Sequence, residues 1–345
     1  MIGFRVDANE VIATGHLMRC IAIAQGFQKQ GEEVMFFLAE EKETNRLKAQ
    51  NMPYIILHSR WDALEQEVLD LKRLLKQYQI TKLIVDSYQA AASYLEELNQ
   101  CVKVIYIDDM EKALYPVSAV LHYSSWPEDK AYERRYNGTG TICMAGMQYT
   151  PLRTEFYPNQ GNNAQKNILI TTGGTDQYNI AGRLLEYFIK ADKRQSDIHF
   201  LVISGSMNQN KPFLENLAKD HPNIILYENV NCMGKLMRSA YLAVSAGGTT
   251  LYELCACRVP TVCFSFADNQ EGFTCEMGKR GIMRYAGDAR KSEDIVERIY
   301  NNMMELWEDT HLYVQYQKKM GRLVDGKGVE RIVENVLALE GTRQI

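Results

Sequence analysis

The sequence predicts an α/β protein of two domains, each built on a parallel sheet. The chain has 345 residues, and a domain usually holds about 100–200 residues. Short β-rich runs alternate with amphipathic helical segments, which is typical of parallel α/β sheets. The polar run NQGNNAQ at 159–165 separates two such series and has the composition of a linker. We therefore expect two similar halves with a cleft between them.

Six strands are predicted in the first half and five in the second. The first helix should run from residue 15 to about residue 30, because apolar residues recur near helical spacing and Gly31 follows them. A helix is also predicted at 62–78, and helices fill the chain from about residue 292. The predicted strands are 2–6, 33–38, 53–57, 82–86, 102–107, 119–122, 167–172, 198–203, 223–227, 242–245 and 260–264. The predicted domains are residues 1–158 and 167–345, with a linker at 159–166.

The composition limits the classes of partner. With 39 basic and 43 acidic residues the net charge is −4, which argues against a general nucleic-acid binder. Arg5 and Asp7 interrupt the first apolar run, and no apolar run approaches the roughly 20 residues that span a bilayer. We therefore expect a cytoplasmic protein without membrane insertion. Cys255 and Cys257 form a C-x-C without a second matching pair, which favours reduced, buried thiols over a zinc site.

The stretch T-G-H-L-M-R at 14–19 lies where the first strand passes to the first helix. Ligands of open α/β sheets bind beside the carboxyl ends of strands, and helix N-termini favour anions. The positive helix end, which begins near Gly15, disfavours a protonated His16, and a neutral imidazole there could act as a general base. Arg19, one turn further on, could contact a phosphate. Alternatively, His16 only begins the helix and has no chemical role.

Two glycine-bearing stretches of the second half are candidates for ligand binding. T-G-G-T-D at 172–176 follows a strand, and its glycines Gly173 and Gly174 would let the backbone approach a ligand, although an ordinary turn has the same composition. S-A-G-G-T-T-L-Y-E at 245–253 follows a strand and opens a helix, so its amides and hydroxyls could hold a diphosphate. The Walker A lysine is absent, so ATP hydrolysis is not predicted. The candidates in and after this block are Gly247, Gly248, Thr249, Thr250, Glu253, Asn269 and Gln270.

Two further stretches follow predicted strands of the first half. D-S-Y at 86–88 would direct Tyr88 toward the same cleft as His16, or place it in the core. The pair Asp108 and Asp109 could ligate a metal ion. Adjacent carboxylates on an extended chain point in different directions, however, and no histidine or aspartate partner has a suitable spacing. We therefore predict no metal site.

Several of these stretches, taken in order, resemble one family. R-V-D-A-N at 5–9 followed by T-G-H-L-M-R is similar to the N-terminal signature of PseG-type hydrolases, which act on UDP-2,4-diacetamido-2,4,6-trideoxy-β-L-altropyranose in pseudaminic acid biosynthesis. D-S-Y, T-G-G-T-D and G-M-Q-Y-T-P-L-R-T-E-F at 146–156 agree with that family. The block at 245–253 with N-Q at 269–270 also resembles the UDP-binding half of MurG-type glycosyltransferases, whose architecture is called GT-B. The resemblance extends from residue 1 to about residue 287.

The resemblance implies a GT-B-like fold, with two Rossmann-like parallel-sheet domains facing across a cleft, and a UDP-sugar hydrolase. It implies inverting attack of water at the anomeric carbon without a metal or other cofactor, and it predicts a small-molecule UDP-sugar as the partner. The implied contacts are His16 with the attacking water, Tyr88, Gly174 and Asn269 with the sugar, Gly247, Gly248, Thr249 and Thr250 with the pyrophosphate, and Glu253 with the ribose.

Two other functions use the same residues. A GT-B glycosyltransferase would pass the sugar to an acceptor hydroxyl, with the same UDP site and the same base. A nucleotide-sugar sensor would bind the ligand without needing a base, so replacement of His16 would leave its binding unchanged. Turnover without an acceptor distinguishes the hydrolase from both.

Overall fold

The protein is seen in a computed structural model, which describes residues 1–9, 12, 14–157, 166–191, 198–205, 207–228, 230 and 232–339. Within these ranges the chain divides into two compact units. The first unit contains residues 1–153 and 327–339, and the second contains residues 154–326. Except for Lys166, the predicted linker at 159–166 lies outside the described residues.

Every strand pairing within the described ranges is parallel. The first unit holds a seven-stranded sheet and the second a six-stranded sheet. The strands of the first sheet are β1 (Ile2–Val6), β2 (Val34–Leu38), β3 (Tyr54–Ile56), β4 (Lys82–Asp86), β5 (Lys103–Ile107), β6 (Ala119–His122) and β7 (Ile142–Ala145). The strands of the second are β8 (Asn167–Thr171), β9 (His199–Ile203), β10 (Ile224–Tyr227), β11 (Leu242–Ala246), β12 (Thr261–Ser265) and β13 (Arg284–Asp288).

Helices connect these strands and cover the sheets. They are α1 (Gly15–Lys29), α2 (Asn45–Ala49), α3 (Val68–Gln77), α4 (Ala92–Asn99), α5 (Ala131–Arg135), α6 (Ile180–Ala191), α7 (Lys211–Asp220), α8 (Met233–Arg238), α9 (Thr250–Cys257), α10 (Asp268–Lys279), α11 (Ile295–Glu308), α12 (Thr310–Leu323) and α13 (Gly328–Ala338). Short 3₁₀ turns lie at Leu64–Glu67, Met147–Tyr149 and Thr154–Phe156. In the part of the chain that the structure describes, no helix is both long and apolar enough to cross a bilayer.

The strand order places β1 in the interior of the first sheet, between β2 and β4, in the order β3-β2-β1-β4-β5-β6-β7. All five residues of β1 are buried, as expected for a parallel strand covered on both faces. Phe4 stacks on Phe36 with ring centroids 4.8 Å apart, and Phe27 of α1 packs edge-on against Phe4. The pairing of Val6 with Asp86 sets the carboxyl ends of β1 and β4 side by side.

The last described helix, α13, belongs to the first unit, whereas the sequence analysis assigned residues 167–345 to the second domain. It packs against α1, where a β-carbon on Gly26 would lie 2.4 Å from Cγ1 of Val329. A glycine inside a helix costs about 1 kcal/mol relative to alanine. Here it allows the close approach of the two helices, a long-range contact that local sequence patterns do not reveal.

The second sheet has the order β10-β9-β8-β11-β12-β13. Its core contains buried aliphatic and aromatic residues of the strands and of α6 and α11, including Phe188 and Phe200, which meet edge to face at 4.8 Å. Cys255 and Cys257 are buried in α9. The eleven predicted strands are present within one or two residues at each end, but β7 and β13 were not predicted. The charged residues and the glycine of β13 weaken its β pattern.

Candidate active site

The candidate catalytic residues of the first unit lie at the carboxyl ends of β1 and β4. His16 is the second residue of α1, which follows β1, and the exposed Gly15 begins that helix. Asp86 ends β4, the neighbour of β1 in the sheet. Parallel strands direct their carboxyl ends to one edge, so residues distant in sequence meet there.

His16 and Asp86 form a buried pair. Nδ1 of His16 lies 2.5 Å from Oδ1 of Asp86, and both residues are at least nine-tenths buried. Burial by itself would raise the pKa of the Asp86 carboxyl, but the charge and hydrogen bonds of Arg19, together with those of His16, hold that pKa well below its usual range. The carboxylate is therefore ionised, and the proton between the two atoms resides on Nδ1.

Arg19 fixes the other side of the Asp86 carboxylate. Its Nε donates to Oδ2 and its Nη2 to Oδ1, both at 2.6 Å, which is the bidentate geometry that a guanidinium favours. Nη1 donates to Oδ2 of Asp109 at 2.7 Å and to the hydroxyl of Tyr123 at 2.6 Å. A phosphate contact was predicted for Arg19 from its place in the sequence. In the structure its guanidinium is held by two carboxylates and a tyrosine.

Tyr88 joins the same network from the loop after β4. Its hydroxyl donates to Oδ2 of Asp109 at 3.0 Å, and its ring meets the His16 ring edge-on with centroids 4.5 Å apart. Burial and the nearby Asp109 carboxylate raise the pKa of the Tyr88 hydroxyl, so it remains a donor. Burial also raises the pKa of Tyr123 to about 12. His16, Arg19, Asp86, Tyr88 and Asp109 thus form one connected cluster.

The neighbouring Asp108 faces a different environment from Asp109. Its Oδ2 accepts from the hydroxyl of Tyr132 at 2.8 Å, and its Oδ1 accepts from the backbone amides of Met110 and Glu111. The two adjacent carboxylates therefore have separate partners, as an extended chain requires. This arrangement makes Asp108 a structural residue of the turn after β5.

A cavity of about 210 Å³ opens beside this cluster within the first unit. Its lining contains two carboxylates, Asp7 and Asp86, at the ends of adjacent strands. The remaining lining residues are Ile12, Trp61, Ser87, Tyr88 and Gln89. The cavity thus combines polar groups at the sheet edge with an apolar wall.

In the second unit, the glycine pair Gly247 and Gly248 follows β11, and α9 begins two residues after it. A β-carbon on Gly247 would lie 2.8 Å from Cγ2 of Thr274 and 2.9 Å from Cβ of Gln270, so only glycine fits there. Gly248 has φ of +150°, which side-chain-bearing residues rarely adopt. The amide of Gly247 donates to the carbonyl of Phe264, so this glycine provides room rather than a free donor.

The first turn of α9 has the features of an anion site. In the described structure the Thr249 side chain makes no capping hydrogen bond to the helix. The hydrogen bonds of the turn begin at the amide of Leu251, which donates to the carbonyl of Gly248, so the amides of 248–250 precede them. Thr250 begins the helix and the half-buried Glu253 lies one turn further on. The positive end of the helix favours an anion beside these amides.

The two amide residues after β12 have different surroundings. Asn269 is exposed in the first turn of α10. Oε1 of Gln270 accepts a hydrogen bond from the amide of Phe266 at 3.0 Å. Both residues were predicted as candidates for ligand binding, but the carbonyl end of Gln270 is used to hold the loop between β12 and α10.

The stretch at 172–176 differs from the α9 turn because the protein supplies its own anion. The buried carboxylate of Asp176 accepts from the amides of Ile180 and Ala181 at 2.8 and 3.2 Å, which caps the N-terminus of α6. Burial raises the pKa of Asp176 to about 6. Gly173 and Gly174 are exposed just before this cap. A diphosphate at α6 would have to displace Asp176, so α9 is the better candidate.

Sequence reasoning missed Asp86 and Asp109 as site residues, and it did not connect Asp7 or Trp61 with a cavity. Asp86 stands in the D-S-Y stretch that drew attention to Tyr88. Its position as the last residue of a strand that precedes a loop was the available signal, because strand ends carry ligand-binding groups in parallel sheets. Trp61 had no such signal.

Among known proteins, a family model matches the second half of the chain. Residues 167–315 match the family model of the Glycosyltransferase family 28 C-terminal domain. An uncharacterized protein of Methanocaldococcus jannaschii is 23% identical over 76% of this chain and 54% of its own length, so the chain spans about half of that relative. The UDP-2,4-diacetamido-2,4,6-trideoxy-beta-L-altropyranose hydrolase of Campylobacter jejuni is 23% identical over 81% of this chain and 96% of its own.

Solved structures extend the likeness to both units. MurG of Acinetobacter baumannii matches 98% of this chain and 99% of its own, with a TM-score of 0.66 at 16% identity. The UDP co-structure of MnaA from S. aureus matches 100% of this chain and 99% of its own, with a TM-score of 0.64 at 13% identity. The prediction of two parallel-sheet α/β domains is confirmed, and the chain has the GT-B fold of the solved glycosyltransferases that it resembles.

Proposed function

We propose that this chain is a UDP-sugar hydrolase, which releases UDP from UDP-2,4-diacetamido-2,4,6-trideoxy-β-L-altropyranose by inverting attack of water at the anomeric carbon. The observation that carries the proposal is the contact between Nδ1 of His16 and the ionised Asp86 beside a cavity. A carboxylate–imidazole pair is the arrangement that prepares a histidine to take a proton. The name of the C. jejuni relative supports the choice of substrate.

His16 is the proposed general base. Because Nδ1 carries the proton that faces Asp86, Nε2 is the nitrogen that takes a proton from the attacking water. Asp86 and Asp109 carry two negative charges and Arg19 one positive charge, so their sum is −1. Protonation of His16 brings the cluster to neutrality, which stabilises the imidazolium formed during attack. Tyr88 donates a hydrogen bond to Asp109, and we propose that it also contacts the sugar.

The second unit is proposed to bind the leaving group. Charge develops on the UDP phosphate as the glycosidic bond breaks, and preorganised amides at a helix N-terminus stabilise such charge. We assign this role to the amides at 248–250 with the hydroxyls of Thr249 and Thr250, and we assign the ribose to Glu253. Gly173, Gly174 and Asn269 are the proposed contacts on the sugar side. No resident cofactor takes part in the proposed reaction.

A glycosyltransferase is the second candidate function. The match of residues 167–315 to the Glycosyltransferase family 28 C-terminal domain favours it, because the same UDP site can serve either reaction. In that reaction His16 would take its proton from an acceptor hydroxyl instead of water. The two proposals differ in one observable property, the rate of UDP release when water is the only acceptor.

The test is to incubate the purified chain with the UDP-sugar, with EDTA and without an acceptor, and to follow UDP release and the anomeric proton by NMR. We expect stoichiometric UDP and free sugar of inverted configuration. The His16→Ala variant should lose at least about 100-fold in rate, because it lacks the base. His311→Ala, at an exposed histidine of α12, is the matched control and should keep the wild-type rate.

Three outcomes separate the candidate functions. Loss of turnover in His16→Ala with unchanged UDP affinity supports the hydrolase and its base. Absence of UDP release from the wild-type chain, followed by rapid release when an acceptor is added, assigns a transferase. Tight binding of the UDP-sugar with no turnover under either condition assigns a binding protein.

A further inference from the structure

We propose that Asp7 is a specificity-determining residue, whose carboxylate accepts a hydrogen bond from a hydroxyl or amide N–H group of the sugar. This inference rests on the proposed function, because it places the sugar in the cavity beside His16. Asp7 directly follows β1 and lines the cavity together with Asp86 and Ser87. The mechanism above uses Asp86 but gives Asp7 no role.

Asp7 is held rigidly and keeps acceptor capacity. Its Oδ2 accepts from Nη1 of Arg5 at 2.5 Å, and its Oδ1 accepts from the amide of Ala39 at 2.8 Å. An ionised carboxylate offers about four acceptor positions. These two hydrogen bonds therefore leave lone pairs on a group that borders the cavity. A fixed acceptor of this kind recognises a donor at one position of a ligand.

The residues behind Asp7 explain why it is fixed. Arg5 is fully buried, and it also donates to both oxygens of Glu67, at 2.5 and 3.0 Å. Glu67 in turn accepts from the hydroxyl of Ser59 at 2.5 Å and from that of Tyr94 at 2.9 Å. Burial alone would lower the pKa of Arg5, but Asp7, Tyr94 and Glu67 raise it, so the guanidinium remains charged. Arg5 and Glu67 are thus positioning residues for Asp7.

Burying a network of this kind costs free energy, and a purely structural role would not require it. Taking charged groups out of water has a large desolvation cost, and apolar residues of similar volume often replace buried ion pairs without loss of stability. Asp7 and Glu67 carry two negative charges against one on Arg5, so the network has a charge of −1 at the wall of the cavity. A ligand donor at Asp7 would stabilise this uncompensated charge.

The other residues that line the cavity limit the class of ligand that fits it. Trp61 and Ile12 provide apolar surface, whereas Asp7 and Ser87 provide polar atoms. A sugar that presents a donor next to an apolar substituent satisfies both. The carboxylate oxygens in the lining disfavour a substituent that can only accept hydrogen bonds, because two acceptors placed together form no hydrogen bond and the substituent loses its bonds to water.

The test compares the dissociation constants of UDP and of the UDP-sugar for full chains with and without Asp7→Asn, measured by calorimetry. Both chains carry His16→Ala, so that the proposed hydrolysis does not consume the ligand. We expect Asp7→Asn to weaken binding of the UDP-sugar by about 10–100-fold, the usual range for a hydrogen bond to a charged group, and to leave UDP binding unchanged. Asp70→Asn, at an exposed surface pair on α3, is the matched control and should alter neither constant.

The decisive measurement pairs this variant with analogues of the UDP-sugar that lack one donor at a time, by replacement of a hydroxyl with hydrogen or of an amide N–H with N-methyl. For one analogue, we expect the His16→Ala chain with Asp7 intact to lose about 10–100-fold in affinity relative to the full UDP-sugar. The chain that also carries Asp7→Asn should bind this analogue and the full UDP-sugar about equally, because the contact is already missing. Equal loss in both proteins for every analogue would overturn the proposal.

A second variant distinguishes loss of binding from misfolding. It is needed because Asp7→Asn leaves the buried Arg5 guanidinium beside a neutral amide instead of a carboxylate. Asp7→Glu keeps the charge for Arg5 but moves the carboxylate by one methylene, and we expect it to weaken UDP-sugar binding selectively while its circular dichroism matches the wild type. Unchanged UDP-sugar affinity in a folded Asp7→Glu would contradict the assignment. Binding needs no turnover, so these results stand apart from failure of the proposed hydrolysis.

Discussion

Nδ1 of His16 and Oδ1 of Asp86 lie 2.5 Å apart, although 70 positions separate the two residues in the sequence. The pair exists because β4 lies beside β1 in the sheet, with Val6 paired to Asp86. The helix that follows β1 then carries His16 over the end of β4. Strand order, more than any local motif, creates this contact.

The first prediction concerns the tautomer of the His16 ring, which Asp86 sets. Asp86→Asn should lower kcat by about 10²–10⁴-fold, because an amide can donate to Nδ1 and so favour the tautomer in which Nε2 already carries a proton; the equivalent change costs roughly 10⁴ in serine proteases. Steady-state kinetics measures the effect. In the double variant with His16→Ala, the second change should add little, and full additivity would contradict a shared role.

The second prediction isolates the hydroxyl of Tyr88. Tyr88→Phe removes the donation to Asp109 but keeps the ring that packs edge-on against His16. We expect kcat to fall about 10-fold, since the lost bond involves a charged partner but the side chain is partly exposed. Tyr54→Phe, at a half-buried tyrosine of β3, is a suitable control. If kcat of Tyr88→Phe equals that of the wild type, the hydroxyl takes no part in the reaction.

The third prediction tests the glycine pair before α9. Gly247→Ala would crowd Thr274 and Gln270, and Gly248→Ala would force alanine into φ of +150°. Each should weaken UDP binding by about 5–100-fold, because the amides of the first helical turn shift. Gly272→Ala is the control, since a β-carbon there meets nothing within 4 Å. Titration calorimetry with UDP decides, and equal affinity in all three variants refutes this site.

The fourth prediction is a pH dependence of α6. The folded-state pKa of Asp176 is raised by burial from 3.8 to about 6, so the folded chain binds more protons than the unfolded chain between these values. Stability from this group is therefore present below about pH 4 and lost as pH rises through 6, by roughly 3 kcal/mol.

Asp176→Asn keeps an acceptor for the amide of Ile180 but cannot titrate. Hydrogen exchange of α6 peptides should therefore show faster opening of the wild-type helix at pH 7 than at pH 4.5, after correction for intrinsic exchange. The variant should show no such change. A pH-independent wild type would mean that the carboxyl has an ordinary pKa.

Local patterns predicted the alternation of strands and helices, the glycine turns and the position of His16 at the start of the first helix, because each depends on residues close in sequence. The strand β13 (Arg284–Asp288) escaped prediction, since its charged residues and glycine weaken the β pattern. Long-range partners also escaped. Asp86 gains its role only from the β1–β4 pairing, and the network from Arg5 to Glu67 spans 62 positions.

The packing changes the interpretation of two predicted ligand contacts, Arg19 and the stretch at 172–176. Arg19 has the charge that a phosphate requires, and the sequence could not reveal that Asp86 and Asp109 occupy its guanidinium. Asp176 stands beside a glycine pair that resembles a ligand loop, yet its carboxylate fills the helix end that a ligand would use. In both cases an internal partner competes with the ligand, and only the folded geometry identifies that partner.

The packing of α13 on α1 has a consequence for biosynthesis on the ribosome. The first unit begins with β1 and α1, yet the helix that covers α1 is translated only after the entire second unit. A nascent chain can therefore complete the second unit while the surface of α1 at Gly26, which Val329 of α13 later covers, is still exposed. Synthesis of the proposed catalytic helix and its final burial are thus separated in time, and the helix that carries His16 is fully covered only after α13 has been translated.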